Sequence, residues 1–265
     1  MSSKDMEKED LDPKEENKEV SEGDEELKEE SCEEEVEEIE EEEVEFDLEA
    51  QIDEFRLQIK EEPENCVHHY NLGEALQELR RFDEAREEFE LALELDEKKE
   101  FSAIIHFGLG NLYHSQLMSG ASAEVVLSSV GHVSEHKGKT TIIDVEDDDF
   151  RRPIEAFQKA IEDLPLLKAD EDLVDYIGEN APLQIATAYY KWASDLIDKT
   201  RQISHYGNER EDVKRAMKFL KKTMEIDPNN SAASLLNNLA KKMLAEGWSI
   251  YDEYGFLAKE IPGDG

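Results

Sequence analysis

The chain has 265 residues, 69 of them Asp or Glu against 30 Lys or Arg, for a net charge of -39. That balance excludes direct nucleic-acid binding, which needs clustered cations to neutralise phosphates. The two cysteines, Cys32 and Cys66, make no disulfide framework, no run reaches the length of a membrane span, and "MSSKDMEKED" lacks the apolar core of a signal peptide. A soluble, intracellular protein in a reducing compartment is expected: cytoplasmic, or nuclear in a eukaryote.

The charge is uneven. Residues 1–50 hold 26 acidic residues and 5 lysines, a balance of -21, and the remaining 43 acidic and 25 basic residues leave -18. With too few apolar side chains to offset the entropy of ordering, residues 1–46 are expected to form a disordered acidic arm. Such an arm either solubilises the protein or screens the basic surface of a cationic client.

The body begins with a single amphipathic stretch at 47–63. Next comes "HHYNLGEALQELRRFDEAREEFELALELD", where Leu72, Ala75, Leu76 and Leu79 form one stripe and Phe82, Ala85, Phe89, Ala92, Leu93 and Leu95 another. The polar pair Arg80 and Arg81 separates them, so the spacing predicts two helices joined by a tight turn. Gly73 and Ala85 let the two backbones approach, and Phe89 fills the space beside them.

This pattern resembles the tetratricopeptide repeat (TPR), a helix-turn-helix of 34 residues with Leu-Gly in its first helix and Ala-x3-Phe with a closing Pro in its second. Leu72, Gly73, Ala85, Phe89 and Ala92 fit, while His69, Leu76 and Glu97 stand where the family has Trp, Tyr and Pro. The resemblance implies an all-α solenoid made of a half repeat at 47–63, a repeat at 66–97 and two further repeats. In "IIHFGLGNLYHSQL", Leu109, Gly110 and Tyr113 match a first helix, but its second helix, "PIEAFQKAIEDLP" with Phe157 and Ala160, comes 31 residues late. That repeat is therefore split, 103–118 plus 150–165, by an insertion at 119–149. A divergent repeat at 182–228 carries Ala186 and Tyr189, then Ala216 and Leu220. A capping helix at 231–246 and a tail at 248–265 complete the reading.

First helices line the concave surface of such arrays, and the resemblance places Val67, Tyr70 and Glu74, then Ile104, Phe107, Asn111 and His114, then Leu183, Thr187 and Tyr190 on it, or in part within the core between repeats. The implied function is a non-enzymatic adaptor or scaffold that holds an extended or helical protein segment, with no cofactor, no metal and no catalytic residue. The alternative is an acidic chaperone for a basic client such as a ribosomal protein or histone. TPR proteins that grip the acidic C-termini of heat-shock chaperones use Lys and Asn where Tyr70 and Glu74 stand here, so those tails are excluded as partners.

Three signals in the insertion compete for attention. His132, Glu135 and His136 follow the H-x-x-E-H order of a zinc peptidase, but Gly131 and Gly138 around them argue for a loop. "HKGKTT" lacks the glycine a phosphate loop needs at Val133. "TTIIDVEDDD" resembles a SUMO-interacting motif, although a β-hairpin pairing 142–145 with 123–130 is the preferred expectation. In the tail, Trp248, Ile250, Tyr251, Tyr254 and Phe256 either pack on the last helix or form a short docking motif.

Overall fold

The protein's structure, a computed structural model, describes residues 48–130, 145–203, 207–252 and 254–265, with side chains throughout except at 120–130. These belong to one unit, Phe46–Gly265; a second unit, Met1–Glu45, lies outside the described residues, and with it the arm expected at 1–46.

The chain runs through α1 (Leu48–Glu61), α2 (Cys66–Glu78), α3 (Phe82–Leu95), α4 (Ser102–Val130), α5 (Asp147–Asp163), α6 (Glu171–Lys199), α7 (Glu209–Ile226) and α8 (Ser231–Glu246). One 3-10 turn, Leu164–Leu166, follows α5. The strands β1 (Gly247–Tyr251) and β2 (Leu257–Pro262) pair antiparallel, Trp248 opposite Ile261 and Ile250 opposite Lys259. No described helix is long and apolar enough to cross a membrane.

Local chemistry sets the helix starts. Asn65, Asp170 and Asn230 accept hydrogen bonds from Val67, Leu173 and Ala233 N–H groups that have no partner within their helices. Asp147, Asp148 and Asp149 favour the positive end of α5. Between α2 and α3 the chain turns through Arg80 in the left-handed region, φ 58°. No proline closes the first repeat. Asp96 does that work instead: its buried carboxylate accepts the backbone N–H groups of Glu100 at 3.0 Å and Phe101 at 2.8 Å as the chain enters α4.

Each helix packs on its neighbours in sequence, as in a stacked array. The close contacts repeat with the sequence pattern. A Cβ at Gly73 would lie 2.9 Å from the Phe89 ring, and one at Gly110 would lie 2.6 Å from the Phe157 ring. Leu72, Ala85, Phe89, Leu109, Phe157, Ala160, Ala186 and Ala216 are all buried, and Tyr113 is half-buried. Gly108, in the same "GLG" stretch, meets Phe89 and Tyr70 and so seats α4 against the preceding repeat.

Three expectations change. Residues 123–130, expected as the first strand of a hairpin, are the last part of α4. Extending an existing helix needs no new nucleus, and the Ala- and Leu-containing run "GASAEVVL" allows it. Residues 142–144 of the second strand lie outside the described residues, as do His132, Glu135 and His136. Second, α6 starts at Glu171, well before 182, and runs through Pro182. Third, the tail is a hairpin fixed to the end of the array. Trp248 Nε1 donates to Thr200 O at 3.0 Å, Lys259 pairs with the buried Glu209, and Arg210 pairs with Asp264. Asp264 N and Gly265 N donate to the α8 carbonyls of Leu244 and Ala245, satisfying groups that a helix end leaves open.

Candidate functional site

The first helices of the three pairs are α2, α4 and α6, and the proposed groove residues fall into two groups on them. Tyr70, Glu74, Leu183, Thr187 and Tyr190 keep solvent access, with Leu183 48 % exposed. Asn111 and His114 are half-buried. Phe107, placed in the groove by the resemblance, is buried between repeats, its ring edge-on to Phe157 with centroids 5.6 Å apart.

Tyr176 is the residue that the sequence reading missed. It sits on the early turns of α6, is 54 % exposed, and meets the Phe107 ring edge-on at 5.9 Å. It also lies close enough to Tyr70 for their phenols to interact electrostatically. The α6 segment before Pro182 thus brings a second solvent-accessible ring, beside Tyr70, onto the buried Phe107 of α4. The signal available was the spacing of Leu173, Ile177 and Ala181, one helix face that continues past the proline.

The electrostatics of this patch are those of a crowded, weakly acidic surface. The Tyr70 hydroxyl donates to Glu74 Oε1. Burial pushes the Tyr70 hydroxyl's pKa far above its ordinary value, and the Glu74 charge adds to that. Burial likewise raises Glu74, against the Tyr70 hydrogen bond that lowers it, and the charge of Glu78 raises it further. Deeper in, His114 Nε2 is buried with no hydrogen-bond partner among the described residues, and burial depresses that imidazole's pKa.

Other clusters have structural work. Asp163 accepts from Ser102 Oγ at 2.5 Å and Lys99 Nζ at 3.4 Å, with His106 Nε2 3.8 Å away, so it fastens α5 to the start of α4. His69 Nδ1 lies 2.7 Å from Glu88 Oε2 and links α2 to α3 where the family has Trp. Between α5, α6 and α7, Phe150 stacks on Trp192 at 5.3 Å and Trp192 on Phe219 at 4.1 Å, beneath the Arg215 guanidinium. Among the described residues, no group of three or more His, Cys, Asp or Glu is placed to hold a metal ion.

Residues 69–99 match the family model for the tetratricopeptide repeat. No curated protein matches the chain. Among solved structures, a TPR repeats protein from Bacteroides fragilis NCTC 9343 is similar at 15 % identity and a TM-score of 0.24, covering 74 % of this chain and 91 % of its own. YrrB, a TPR protein with an unusual peptide-binding site, is similar at 18 % identity and a TM-score of 0.22, covering 71 % and 97 %. Residues 69–99 thus match one tetratricopeptide repeat, and the glycine-to-phenylalanine contact of that repeat, Gly73 on Phe89, recurs at Gly110 and Phe157.

Proposed function

We propose that the protein is a non-enzymatic adaptor or scaffold that holds a partner's segment on the faces of α2, α4 and α6. The TPR fold itself belongs to protein interaction modules. The observation that carries the finer reading is the pair Tyr70 and Tyr176, brought together from α2 and α6 beside the buried Phe107 ring of α4 and continued by the exposed Leu183 and Thr187, about two and three turns beyond Tyr176 on α6. Aromatic anchors of this kind supply much of the energy of a peptide interface. Glu74 and Glu78 beside Tyr70 disfavour an acidic segment and favour a neutral or basic one.

The test is to capture partners from the native cell with wild-type protein and with Leu183→Arg/Thr187→Arg, both at exposed positions. Loss of a common set of partners supports the groove; an unchanged set overturns it. A second reading rests on the charge of residues 1–50: the protein is a chaperone for a basic client. Deleting 1–46 and raising the salt from low to moderate would then each release that client. Retention under both conditions removes the chaperone reading.

A further inference from the structure

The helices that line the groove differ from the rest of the body in charge. Neither α2 nor α4 contains a Lys or Arg, and α6 has none before Lys191. Carboxylates stand there instead: Glu74 and Glu78 on α2, and Asp172 and Glu179 on α6, one turn to either side of Tyr176 and exposed with it. No ion pair among the described residues engages any of these four, whereas Glu100 and Glu211 elsewhere are matched by Lys168 and Lys214. The packing gathers this charge around two rings. Tyr70 rests on α4 at Gly108, where a Cβ would lie 3.2 Å from the ring, and Tyr176 rests on the adjacent Phe107, with 5.9 Å between centroids. Glu74 reaches solvent, yet the protein around it raises its carboxyl's pKa by desolvation, a combination that belongs to a concave wall. Its Oε1 accepts from the Tyr70 hydroxyl, and its Oε2 has no hydrogen bond among the described residues.

We propose, on the reading of α2, α4 and α6 as a binding groove, that it selects an extended partner segment by one Arg or Lys side chain, which sits against Tyr70 and Tyr176 and pairs with Glu74. An aliphatic side chain three to five residues away in that segment rests on Leu183 and Thr187. A cation is attracted to an aromatic ring and gains most where water is excluded. Glu74 supplies the counter-charge, and the incoming cation relieves a carboxylate that has no ion pair of its own. The spacing follows from α6. Leu183 and Thr187 continue the face of Tyr176 about 10 and 16 Å along the helix, and an extended segment advances about 3.1–3.4 Å per residue. The same carboxylates repel an acidic segment, and a neutral one leaves Glu74 desolvated without a partner, so the site discriminates as well as binds.

The full-length protein is panned against a random dodecapeptide library displayed on phage, and the strongest selected peptide is synthesised and titrated calorimetrically at physiological salt. Selected sequences are expected to share one Arg or Lys with an aliphatic residue three to five positions away. Replacing that cation by a neutral isostere, citrulline for Arg or norleucine for Lys, is expected to weaken binding about tenfold. The isostere leaves the protein unaltered, so this loss cannot come from misfolding. Glu74→Gln and Tyr176→Leu, both at exposed positions, are each expected to weaken the parent peptide about five- to tenfold. In Tyr176→Leu the penalty of the isostere should shrink, because the two changes remove one interaction. Undiminished binding of the isostere, or equal binding of basic peptides by wild type, Glu74→Gln and Tyr176→Leu, would place the attraction elsewhere on the chain and overturn the proposal. Selected peptides that carry no cation, yet are lost with Leu183→Arg/Thr187→Arg, would overturn it and leave the groove standing. Peptides indifferent to all four substitutions, or no selection at all, would overturn the groove reading with it.

Discussion

Gly110→Ala should destabilise the protein in its native background and stabilise it once Phe157 is removed. A methyl group at Gly110 would lie 2.6 Å from two carbons of the Phe157 ring and 2.8 Å from a third. Carbon atoms rest comfortably at about 3.5–4.0 Å, so the ring must retreat by about 1 Å. It has little room, being fully buried with Phe107 edge-on at 5.6 Å. Overpacking of this kind costs about 2–3 kcal/mol. Replacing a helical glycine by alanine returns about 1 kcal/mol. The expected net loss is about 1–2 kcal/mol. Phe157→Ala alone should cost about 3–5 kcal/mol through the cavity it leaves. In that background the obstacle is gone, and Gly110→Ala should gain about 1 kcal/mol, a coupling of about 2–3 kcal/mol. Urea unfolding of the four proteins, followed by far-ultraviolet circular dichroism, measures each term, with Phe157→Leu as a milder second background. A loss of the same size in every background would refute the claim that this ring fixes the distance between α4 and α5.

Three further outcomes are expected. Gly247→Ala places a methyl 2.3 Å from Ile261 O at a φ of 82°, so it should cost about 1–3 kcal/mol, seen as altered Trp248 emission with helicity retained. Lys259→Met leaves Glu209, 3 % exposed, without its cation. Because Lys259 itself is 39 % exposed, the expected loss in thermal unfolding is about 1–3 kcal/mol, partly recovered by adding Glu209→Gln. Burial lowers the pKa of His114, so below about pH 6.5 the unfolded chain takes up a proton before the folded one does, and stability falls until the folded pKa is passed. Urea midpoints at neutral and mildly acidic pH should show that fall, and His114→Gln should reduce it.

The repeat core was readable because its signals are local and periodic. Gly73 with Phe89 and Gly110 with Phe157 are demanded by close backbone approach, and a spacing of four on each second helix marks the buried face. The split repeat could be joined across a long gap because α5 still presents Phe157 and Ala160 as α3 presents Phe89 and Ala92. Less was readable where one signal opposed another. The divergent repeat was started at 182, yet α6 begins at Glu171 and passes through Pro182. That single misplacement hid Tyr176 from the groove. The tail, read as packing on the last helix or as a short docking motif, is the hairpin at 247–262, and the alternation of Trp248 with Ile250 and of Lys259 with Ile261 was the signal for it. Phe107 shows the limit of carrying positions over from a family: an aromatic ring at a groove position can turn inward when Phe157 and Tyr176 offer it contacts.

The buried side chains fall into two clusters, one built on Ile52, Leu76, Phe89 and Leu112, the other on Phe157, Trp192, Leu196 and Leu220. Helices α4 and α5 contribute to both, Ala156 facing one and Phe157 the other. In a linear array such a seam is where cooperativity is weakest. Both tryptophans of the chain, Trp192 and Trp248, belong to the second cluster or pack against it. Intrinsic fluorescence is therefore an optical record of one half of the body and blind to the other, while circular dichroism sums both. If the two halves melt in succession, the two methods will give different midpoints for the same sample, and the stronger the coupling across α4 and α5, the smaller that gap will be.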